Sequence, residues 1–246
     1  LPAFFTGGAL ALGQAAWGLW WLALPALAGL SWLIRRSESI RAAFWTGLAA
    51  GTGQFALALS WIVEPFLIDI ARHGWMAPFA IVLMSSGLGL FWGISAALAR
   101  LAPNPALGFV PTFAALEWAR GVVLTGFPWA MLGHVWIGTP PDQLAALAGP
   151  TGLSLLTLVI TALPVAVGWR GAGGSMLVLA LAFGFGLWRL GQPLPAPKAE
   201  TLRLVQPNAE QALKWDQSLA DQHLQTLLRL TARDRPADLT IWPETA

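Results

Sequence analysis

The segment LTIWPETA at 239–246 contains a carboxylate, that of Glu244, at a position where it could take part in a reaction. Residues 239–242 predict a short strand, and Pro243 fixes the backbone directly after it. Folds of the α/β type place reactive groups at strand ends, where a carboxylate can act as a general base. Taken alone, however, a carboxylate at a strand end is more often a surface residue than a catalyst.

A second charged pair lies inside an apolar stretch. Glu117 and Arg120 stand three residues apart in a predicted helix at 106–125, and this spacing places both side chains on one helical face. A charge at mid-membrane is costly unless it is paired or lies near the interface. The residue types therefore indicate either a structural intramembrane ion pair or a pair that faces a substrate.

The residues that follow this pair form a long loop, LTGFPWAMLGHVWIGTPP at 124–141, which is rich in Gly, Pro and aromatic side chains. Such a composition predicts an interfacial or re-entrant element with Trp129 and Trp136 at headgroup depth. Aromatic belts have the same residues without any binding role, and the chain contains 15 tryptophans. The composition of the loop alone does not assign it a function.

Several other kinds of site lack the residues they need. The sequence has no cysteine, which excludes disulfides, thiolate metal sites and a cysteine nucleophile within these residues. His73, His134 and His223 have no other ligand at metal spacing, so no metal site is predicted. No Gly-rich phosphate loop or nucleophile elbow is present, and no cofactor is predicted. The net charge of +2 does not indicate a nucleic-acid partner.

Composition indicates that most of these groups belong to a membrane protein. The chain is 56% hydrophobic and 11% charged, with a mean hydropathy of +0.62, whereas about a quarter of the residues in a soluble domain are charged. Of the 26 charged residues, 13 lie in the last 49 positions, from Lys198 onward. This uneven distribution predicts a transmembrane bundle over 1–190 and a polar domain over 198–246.

Apolar stretches in the first part predict about seven membrane-spanning helices. The uncharged run 1–34 would be about 50 Å long as one helix at ~1.5 Å per residue, so we expect it to break near 13–18 into two short helices. The other spans are predicted at 42–63, 76–99, 106–125, 150–169 and 175–188.

The arginines indicate how this bundle is oriented. If the chain has seven spans, five arginines lie on one side of the membrane. They belong to the connections between spans two and three, four and five, and six and seven. By the positive-inside rule that side is the cytoplasm. The sequence therefore predicts a multi-pass protein of the bacterial inner membrane, with its N-terminus in the cytoplasm and its C-terminal domain in the periplasm. The arginines concerned are Arg35, Arg36, Arg41, Arg100 and Arg170.

A Pro-rich linker at 191–197 marks the predicted exit from the bilayer. Beyond it, 202–206 predicts a strand, 217–233 an amphipathic helix and 239–242 a second strand, which together make one βαβ unit. Domains below about 60 residues are marginal in stability. We therefore expect the domain at 198–246 to be incomplete and to continue past Ala246.

Three motifs resemble the apolipoprotein N-acyltransferase family. They are LEWARGVVLTGFPWAMLG at 116–133, LVQPNAEQALKWDQ at 204–217 and LTIWPETA at 239–246, and they occur in the order that the family has. The resemblance covers essentially the whole chain. One departure is Pro207, where the family more often has glycine or another small residue before Asn208.

The resemblance implies a polytopic α-helical membrane bundle followed by the start of an α/β nitrilase-like domain, an αββα sandwich that is truncated in this sequence. It also implies an enzyme that transfers an acyl chain from a phospholipid to the free amino group of the diacylglyceryl-modified N-terminal cysteine of an apolipoprotein. This reaction is the last step of lipoprotein maturation. The partners it implies are the donor phospholipid, the apolipoprotein acceptor and membrane lipids.

The resemblance also implies roles for individual residues. Glu244 occupies the position of the family's catalytic glutamate, which activates a cysteine that carries the acyl chain as a thioester, while a lysine stabilises the oxyanion. Both the cysteine and the lysine are expected beyond residue 246, so the fragment alone is expected to be inactive. Trp129 and Trp215 resemble the family's aromatic residues that line the lipid and active-site region.

Two alternative functions remain open at this stage. One is a membrane-anchored nitrilase-type amidase that uses water as the acceptor. The other is a transporter, in which Glu117 and Arg120 would line a pathway. Inverted repeats, which are typical of many transporters, are not recognisable in the sequence.

Overall fold

The computed structural model describes residues 1–194, 196, 199–209, 217–233 and 236–243. The chain divides into two compact units, Leu1–Gln192 and Pro193–Ala246. The first unit is helical. In its described residues the second unit has two short strands and one helix.

The first unit has seven helices of ten or more residues, one for each of the helices predicted from the sequence. The break predicted near 13–18 is present, because the first helix ends at Ala11 and the second begins at Trp20. Two additional helices of four residues each lie where the sequence predicted only a loop. The helices are α1 Pro2–Ala11, α2 Trp20–Arg36, α3 Ile40–Ala58, α4 Glu64–Leu67, α5 Ile70–His73, α6 Ala77–Ala99, α7 Pro105–Arg120, α8 Ala145–Val167 and α9 Trp169–Leu190.

Local sequence explains where several of these helices begin and end. The side chain of Asn104 caps α7 by accepting a hydrogen bond from Ala106 N at 3.1 Å, and Pro105 occupies the first helical position, where its missing N–H is not needed. Gly149, with φ of +64°, interrupts α8 directly before Pro150. Gly168, with φ of +67°, separates α8 from α9. These two glycines adopt a left-handed backbone that other residues rarely tolerate.

Three helical stretches in the described part of the chain are long and apolar enough to cross a membrane: Ile70–Ala99, Pro140–Val167 and Trp169–Leu190. A fourth crossing is possible if Ile40–Ala58 and Ser60–Leu67, which are bent by 65°, form one broken span. Helix α1 has ten residues and is therefore only about 15 Å long, about half the thickness of the hydrocarbon core. The count of seven crossings stays a prediction.

Helix α1 is held against the bundle by glycines. A Cβ atom added to Gly7 would lie 1.8 Å from the carbonyl oxygen of Ala50, and one added to Gly53 would lie 2.1 Å from the carbonyl oxygen of Phe4. On its other side, α3 meets α6 through Gly47, where an added Cβ would lie 2.4 Å from the carbonyl oxygen of Trp92. Helix α3 is thus packed backbone to backbone on two faces, an arrangement common between helices in membranes.

The interior of the bundle is aromatic and its surface is apolar. Trp92 lies at the centre of a buried cluster, with ring centroids 6.0 Å from Phe55 and 4.9 Å from Phe113. On the outside, large apolar side chains such as Leu83 and Leu181 are 71% and 64% exposed. An apolar surface of this kind is compatible with lipid rather than water.

Three connections meet at one end of the bundle. The guanidinium of Arg100, between α6 and α7, donates from Nε to the carbonyl oxygen of Ser37, between α2 and α3, at 2.8 Å. Arg35 at the end of α2 donates to the carbonyl oxygen of Val165 in the last turn of α8. These are the connections that carry the arginines used above to predict orientation.

The second unit pairs β1 (Leu202–Leu204) with β2 (Leu239–Ile241) in parallel. Helix α10 (Ala220–Thr231), preceded by a 3-10 turn, lies between them in the chain, which gives the predicted order of strand, helix and strand. Of the apolar positions on α10, Leu227 is buried while Leu224 and Leu228 are each 45% exposed. Two strands of three residues offer too little surface to cover the whole apolar face of the helix.

Candidate functional site

Two charged side chains are buried in the last turn of α7. Glu117 and Arg120 are 4% and 2% exposed, and Arg120 Nη2 lies 4.0 Å from Glu117 Oε1. At this separation the charges attract each other without a direct hydrogen bond. Buried charges also need hydrogen-bond partners. The bonds that these two side chains make go to backbone groups of the loop that follows α7, whereas Glu117 Oε2 and Arg120 Nε and Nη2 are buried without a hydrogen-bond partner among the described residues.

Arg120 binds the first part of this loop. Its Nη1 donates to the carbonyl oxygen of Phe127 at 2.6 Å and to that of Trp129 at 2.8 Å. The guanidinium also lies 5.0 Å from the ring centroid of Phe55 on α3, in a cation–π contact. One side chain therefore connects α7, the GFPW segment and α3.

Glu117 binds the second part of the same loop. Its Oε1 accepts a hydrogen bond from Leu132 N at 2.7 Å. Because this bond goes to a charged acceptor in a buried site, it is stronger than a neutral one. The pair thus fixes the loop at residues 127, 129 and 132.

Polar side chains from other helices complete the support of the loop. Ser154 Oγ on α8 accepts from Gly133 N at 2.8 Å, and Gln14 Nε2 donates to the carbonyl oxygen of Met131 at 3.3 Å. Gly133 has no side chain at a point where an added Cβ would lie 2.4 Å from the carbonyl oxygen of Pro150. The absence of this side chain allows the loop to pack directly on α8.

Trp136 packs inside the bundle rather than on its surface, and its predicted headgroup depth stays a prediction. This residue is fully buried, its Nε1 donates to Thr157 Oγ1 at 2.8 Å, and its ring packs 5.7 Å from that of Trp20. The physical reason for this burial is the 3-10 turn Leu132–Trp136. Together with the contact between Gly133 and α8, it directs this part of the loop into the bundle.

The loop includes strained backbone between its exposed and buried parts. Leu124 and Ala130 have φ of +60° and +51°, which is unfavourable for residues other than glycine. Leu124 is 98% exposed, whereas Met131 is 5% exposed. Backbone in this region persists when surrounding contacts determine it, and the contacts of Arg120 and Glu117 lie on either side of Ala130.

Trp129 is placed differently from Trp136. Its backbone carbonyl is held by Arg120, but its side chain is 58% exposed. The ring packs edge to face against Trp61, with centroids 6.1 Å apart. The structure therefore brings Glu117, Arg120 and Trp129 together and leaves an aromatic surface accessible beside them.

The C-terminal candidate residues belong to the second unit. Strand β2 ends at Ile241, and Trp242 Nε1 donates to Thr231 Oγ1 on α10 at 2.8 Å. This bond fixes the chain just before Pro243. Glu244 and Trp215, the other two predicted site residues, lie outside the described residues.

The sequence analysis did not identify Gln14, Trp61, Ser154 and Thr157 as members of this region. Three of them are polar side chains in apolar surroundings, which is a detectable signal. Ser154 and Thr157 are also three residues apart on α8, the spacing of one helical face. Trp61 had no distinguishing signal among 15 tryptophans.

Comparison with known proteins identifies similar sequences. A family model described as the apolipoprotein N-acyltransferase N-terminal domain matches residues 6–163. The chain is 46% identical over 74% of its length to a protein of Caulobacter vibrioides named apolipoprotein N-acyltransferase. Proteins of the same name from Allorhizobium ampelinum and Rhizobium leguminosarum bv. trifolii are 35% and 34% identical, over 73% and 100% of this chain. The chain spans 37% to 42% of the length of these curated relatives.

Proposed function

Because this chain belongs to the apolipoprotein N-acyltransferase family, we propose that it is the membrane part, and the start of the catalytic part, of an enzyme that acylates bacterial lipoproteins. The donor is a phospholipid. The acceptor is the free amino group of the N-terminal diacylglyceryl-cysteine of an apolipoprotein. The observation that carries this proposal is the family match over residues 6–163.

We propose that the second unit is the start of a nitrilase-like domain. The parallel pairing of β1 with β2 and the helix between them support this proposal. Glu244 follows β2 by three residues, at the strand end where a catalytic group is expected. In the proposed enzyme the cysteine and the lysine of the site lie beyond residue 246.

The proposed reaction has two halves. Glu244 takes the proton of the cysteine thiol, and the thiolate attacks the ester carbonyl of the phospholipid. The C–O bond of the ester then breaks, the proton passes from Glu244 to the departing oxygen of the lysophospholipid, and the acyl chain stays on the cysteine as a thioester. The amino group of the apolipoprotein then attacks the thioester carbonyl, forms the amide and releases the thiol. The lysine stabilises the oxyanion in both halves.

The lipid substrates explain why the catalytic unit is attached to a membrane bundle. Moving an acyl chain into water costs about 0.8 kcal/mol for each methylene group. An enzyme held at the membrane surface avoids most of this cost, because both acyl chains stay in hydrocarbon while the ester is attacked. We place the C-terminal unit in the periplasm of a bacterium with its bundle in the inner membrane.

Mass spectrometry of the full-length protein tests this function, where full-length means this chain with the residues that complete the proposed domain. After incubation with a phospholipid of defined acyl chains, we expect a mass increase equal to one acyl group. The variant Glu244→Gln should fold normally and show no increase, because a neutral amide does not accept the thiol proton.

Two further measurements separate the alternative functions. A membrane-anchored amidase would release ammonia from a small amide and would not be acylated by phospholipid. A transporter would move its substrate into vesicles after removal of every residue beyond Gly191. Near-normal acylation of Glu244→Gln would refute the role proposed for this residue.

A further inference from the structure

Trp61 lies at the point where the chain leaves α3. The helix ends at Ala58, and the 3-10 turn Ser60–Val63 continues the chain in a direction bent by 65°. At this bend the ring of Trp61 meets that of Trp129, with an angle of 63° between their planes. Aromatic rings in this edge-to-face arrangement attract each other beyond the effect of burial.

Both members of this aromatic pair have an accessible side. Trp61 is 51% exposed and Trp129 is 58% exposed, whereas Trp92 and Trp136 in the bundle are almost fully buried. Each ring of the pair thus packs on its partner with one part and leaves the rest available for another molecule.

The pair is supported by a single buried cation. Arg120 holds the backbone carbonyl of Trp129, and its guanidinium lies on the ring of Phe55, which stands in the last turn of the helix that leads to Trp61. The two tryptophans come from segments far apart in the sequence. Arg120 contacts both segments, through the carbonyl oxygen of Trp129 and through the ring of Phe55. Rings positioned in this way are preorganised for binding.

We propose that Trp61 binds the donor phospholipid together with Trp129, as a pair of exposed aromatic rings on the first unit. This inference rests on the proposed function. Tryptophan is typical of the boundary between headgroups and acyl chains, which is the depth of the ester that is attacked. The loop of Trp129 also exposes Val123 and Leu124, by 49% and 98%, so lipid is a better partner for this surface than a polar molecule.

Steady-state kinetics of the full-length enzyme in mixed micelles test the inference. Trp61→Ala should raise the apparent KM for the phospholipid donor by about tenfold, the effect of losing roughly 1.4 kcal/mol of binding, and should change kcat by less than twofold. Trp61→Phe should restore most of the affinity, because a phenyl ring can also meet Trp129 by its edge.

Trp75 provides a matched control. It is also exposed, by 68%, and it lies in the same connection between α3 and α6, but its ring packs against Phe79 at 6.2 Å. Trp75→Ala should leave the KM for the donor unchanged. An equal increase in KM for the Trp61 and Trp75 variants would overturn the inference, since both residues would then be general membrane anchors.

A binding measurement decides the inference independently of catalysis. The protein is labelled with 5-fluorotryptophan, and the fluorine resonances of residues 61 and 75 are assigned with Trp61→Phe and Trp75→Phe. A phospholipid with a nitroxide beside its ester should broaden the resonance of Trp61 more than that of Trp75, and equal broadening would contradict the proposal. If the wild-type protein transfers no acyl group, the proposed function fails, while this comparison still tests whether Trp61 binds phospholipid.

Discussion

At the scale of single residues, the clearest feature of this molecule is that its buried charges hold the backbone of a loop. Arg120 donates two hydrogen bonds to carbonyl oxygens of the loop, and Glu117 accepts one from a backbone amide. Desolvation makes a buried ion pair a weak source of stability by itself. The pair is better understood through the loop conformation that it determines, with Trp129 at its exposed side.

We predict that Arg120→Met destabilises the bundle by about 3–5 kcal/mol, the usual cost of removing one partner from a buried pair. The change leaves Glu117 without its countercharge and two carbonyl groups without a donor. Arg120→Lys should cost less, because the cation remains, but one ammonium group cannot reproduce the planar geometry of a guanidinium. Unfolding of the purified protein in mixed micelles, followed by circular dichroism, measures both effects.

The control for this prediction is Ser95→Ala. Ser95 is also fully buried, and its Oγ lies 3.2 Å from Thr112 Oγ1, so the variant removes a hydrogen bond but no charge. Its expected cost is about 1 kcal/mol. If Arg120→Met costs no more than this control, the charge of Arg120 does not support the loop.

The charged pair was predictable from the sequence because two ionisable residues in an apolar stretch, three positions apart, are unusual. Its partners were not predictable. Leu132 is 15 positions from Glu117, and Ser154 is 21 positions from Gly133, so both bonds depend on how the loop folds back on the bundle. The burial of Trp136 was missed for the same reason, since it follows from the contact of Gly133 with α8.

At the scale of elements, α3 is the helix on which the N-terminal half is assembled. Its glycines allow α1 on one side and α6 on the other to approach at backbone distance. Without strong hydrophobic attraction between helices in lipid, such close packing is a main source of association. This packing explains how a helix as short as α1 has a defined position.

We predict that Gly53→Ala destabilises the bundle by about 1–3 kcal/mol, the range for overpacked sites. The added methyl group would lie 2.1 Å from the carbonyl oxygen of Phe4, so α1 must move away from α3. Unfolding in mixed micelles measures the stability, and hydrogen exchange at the amides of α1 should become faster.

Gly87→Ala is the matched control, because it also adds a methyl group to a helix of the bundle. No atom lies within 4 Å of the added Cβ at this position. The control should be neutral or slightly stabilising, since alanine favours a helix more than glycine does. Equal destabilisation by the two variants would show that the α1–α3 contact has no special role.

Most helix positions were predictable from the sequence, but several ends were not. The span predicted to end at residue 125 ends at Arg120, because the chain turns back and Phe127 N donates to the carbonyl oxygen of Arg120 at 2.8 Å. The span predicted to end at 63 stops at Ala58, where the chain bends. In both places a tertiary contact or a bend ends a helix while the sequence remains apolar.

At the scale of the whole molecule, the asymmetric distribution of arginine acquires a structural basis. The bonds of Arg35 to Val165 and of Arg100 to Ser37 bring three connections to one end of the first unit. Arg35 and Arg100, which are expected to help set the orientation, therefore also link helix ends that are far apart in the sequence. The basic residues Arg36 and Arg170 at this end lie over the rings of Trp32 and Trp169.

This arrangement leads to a prediction about topology in the cell. The positive-inside rule places the end that carries these arginines in the cytoplasm. Alkaline phosphatase, which is active only in the periplasm, should be active when fused after residue 192 and inactive when fused after residue 103, between α6 and α7. Green fluorescent protein fused at the same two positions should give the opposite pattern and serves as the control for expression.

The same fusions also test the arginines directly, and the structure indicates which of them can be replaced. Arg100 and Arg35 are unsuitable for substitution because each change would also remove a hydrogen bond between hairpins. Arg36, Arg41 and Arg170 are exposed. Their combined replacement by glutamine removes two exposed cation–π contacts but, within the described part of the chain, no hydrogen bond between the connections, and it lowers the positive charge of this end. We expect phosphatase activity to appear in the fusion after residue 103, because the charge bias that opposes translocation is weaker. Unchanged activity in all fusions of the triple variant would mean that the bundle is oriented by other features than these three charges.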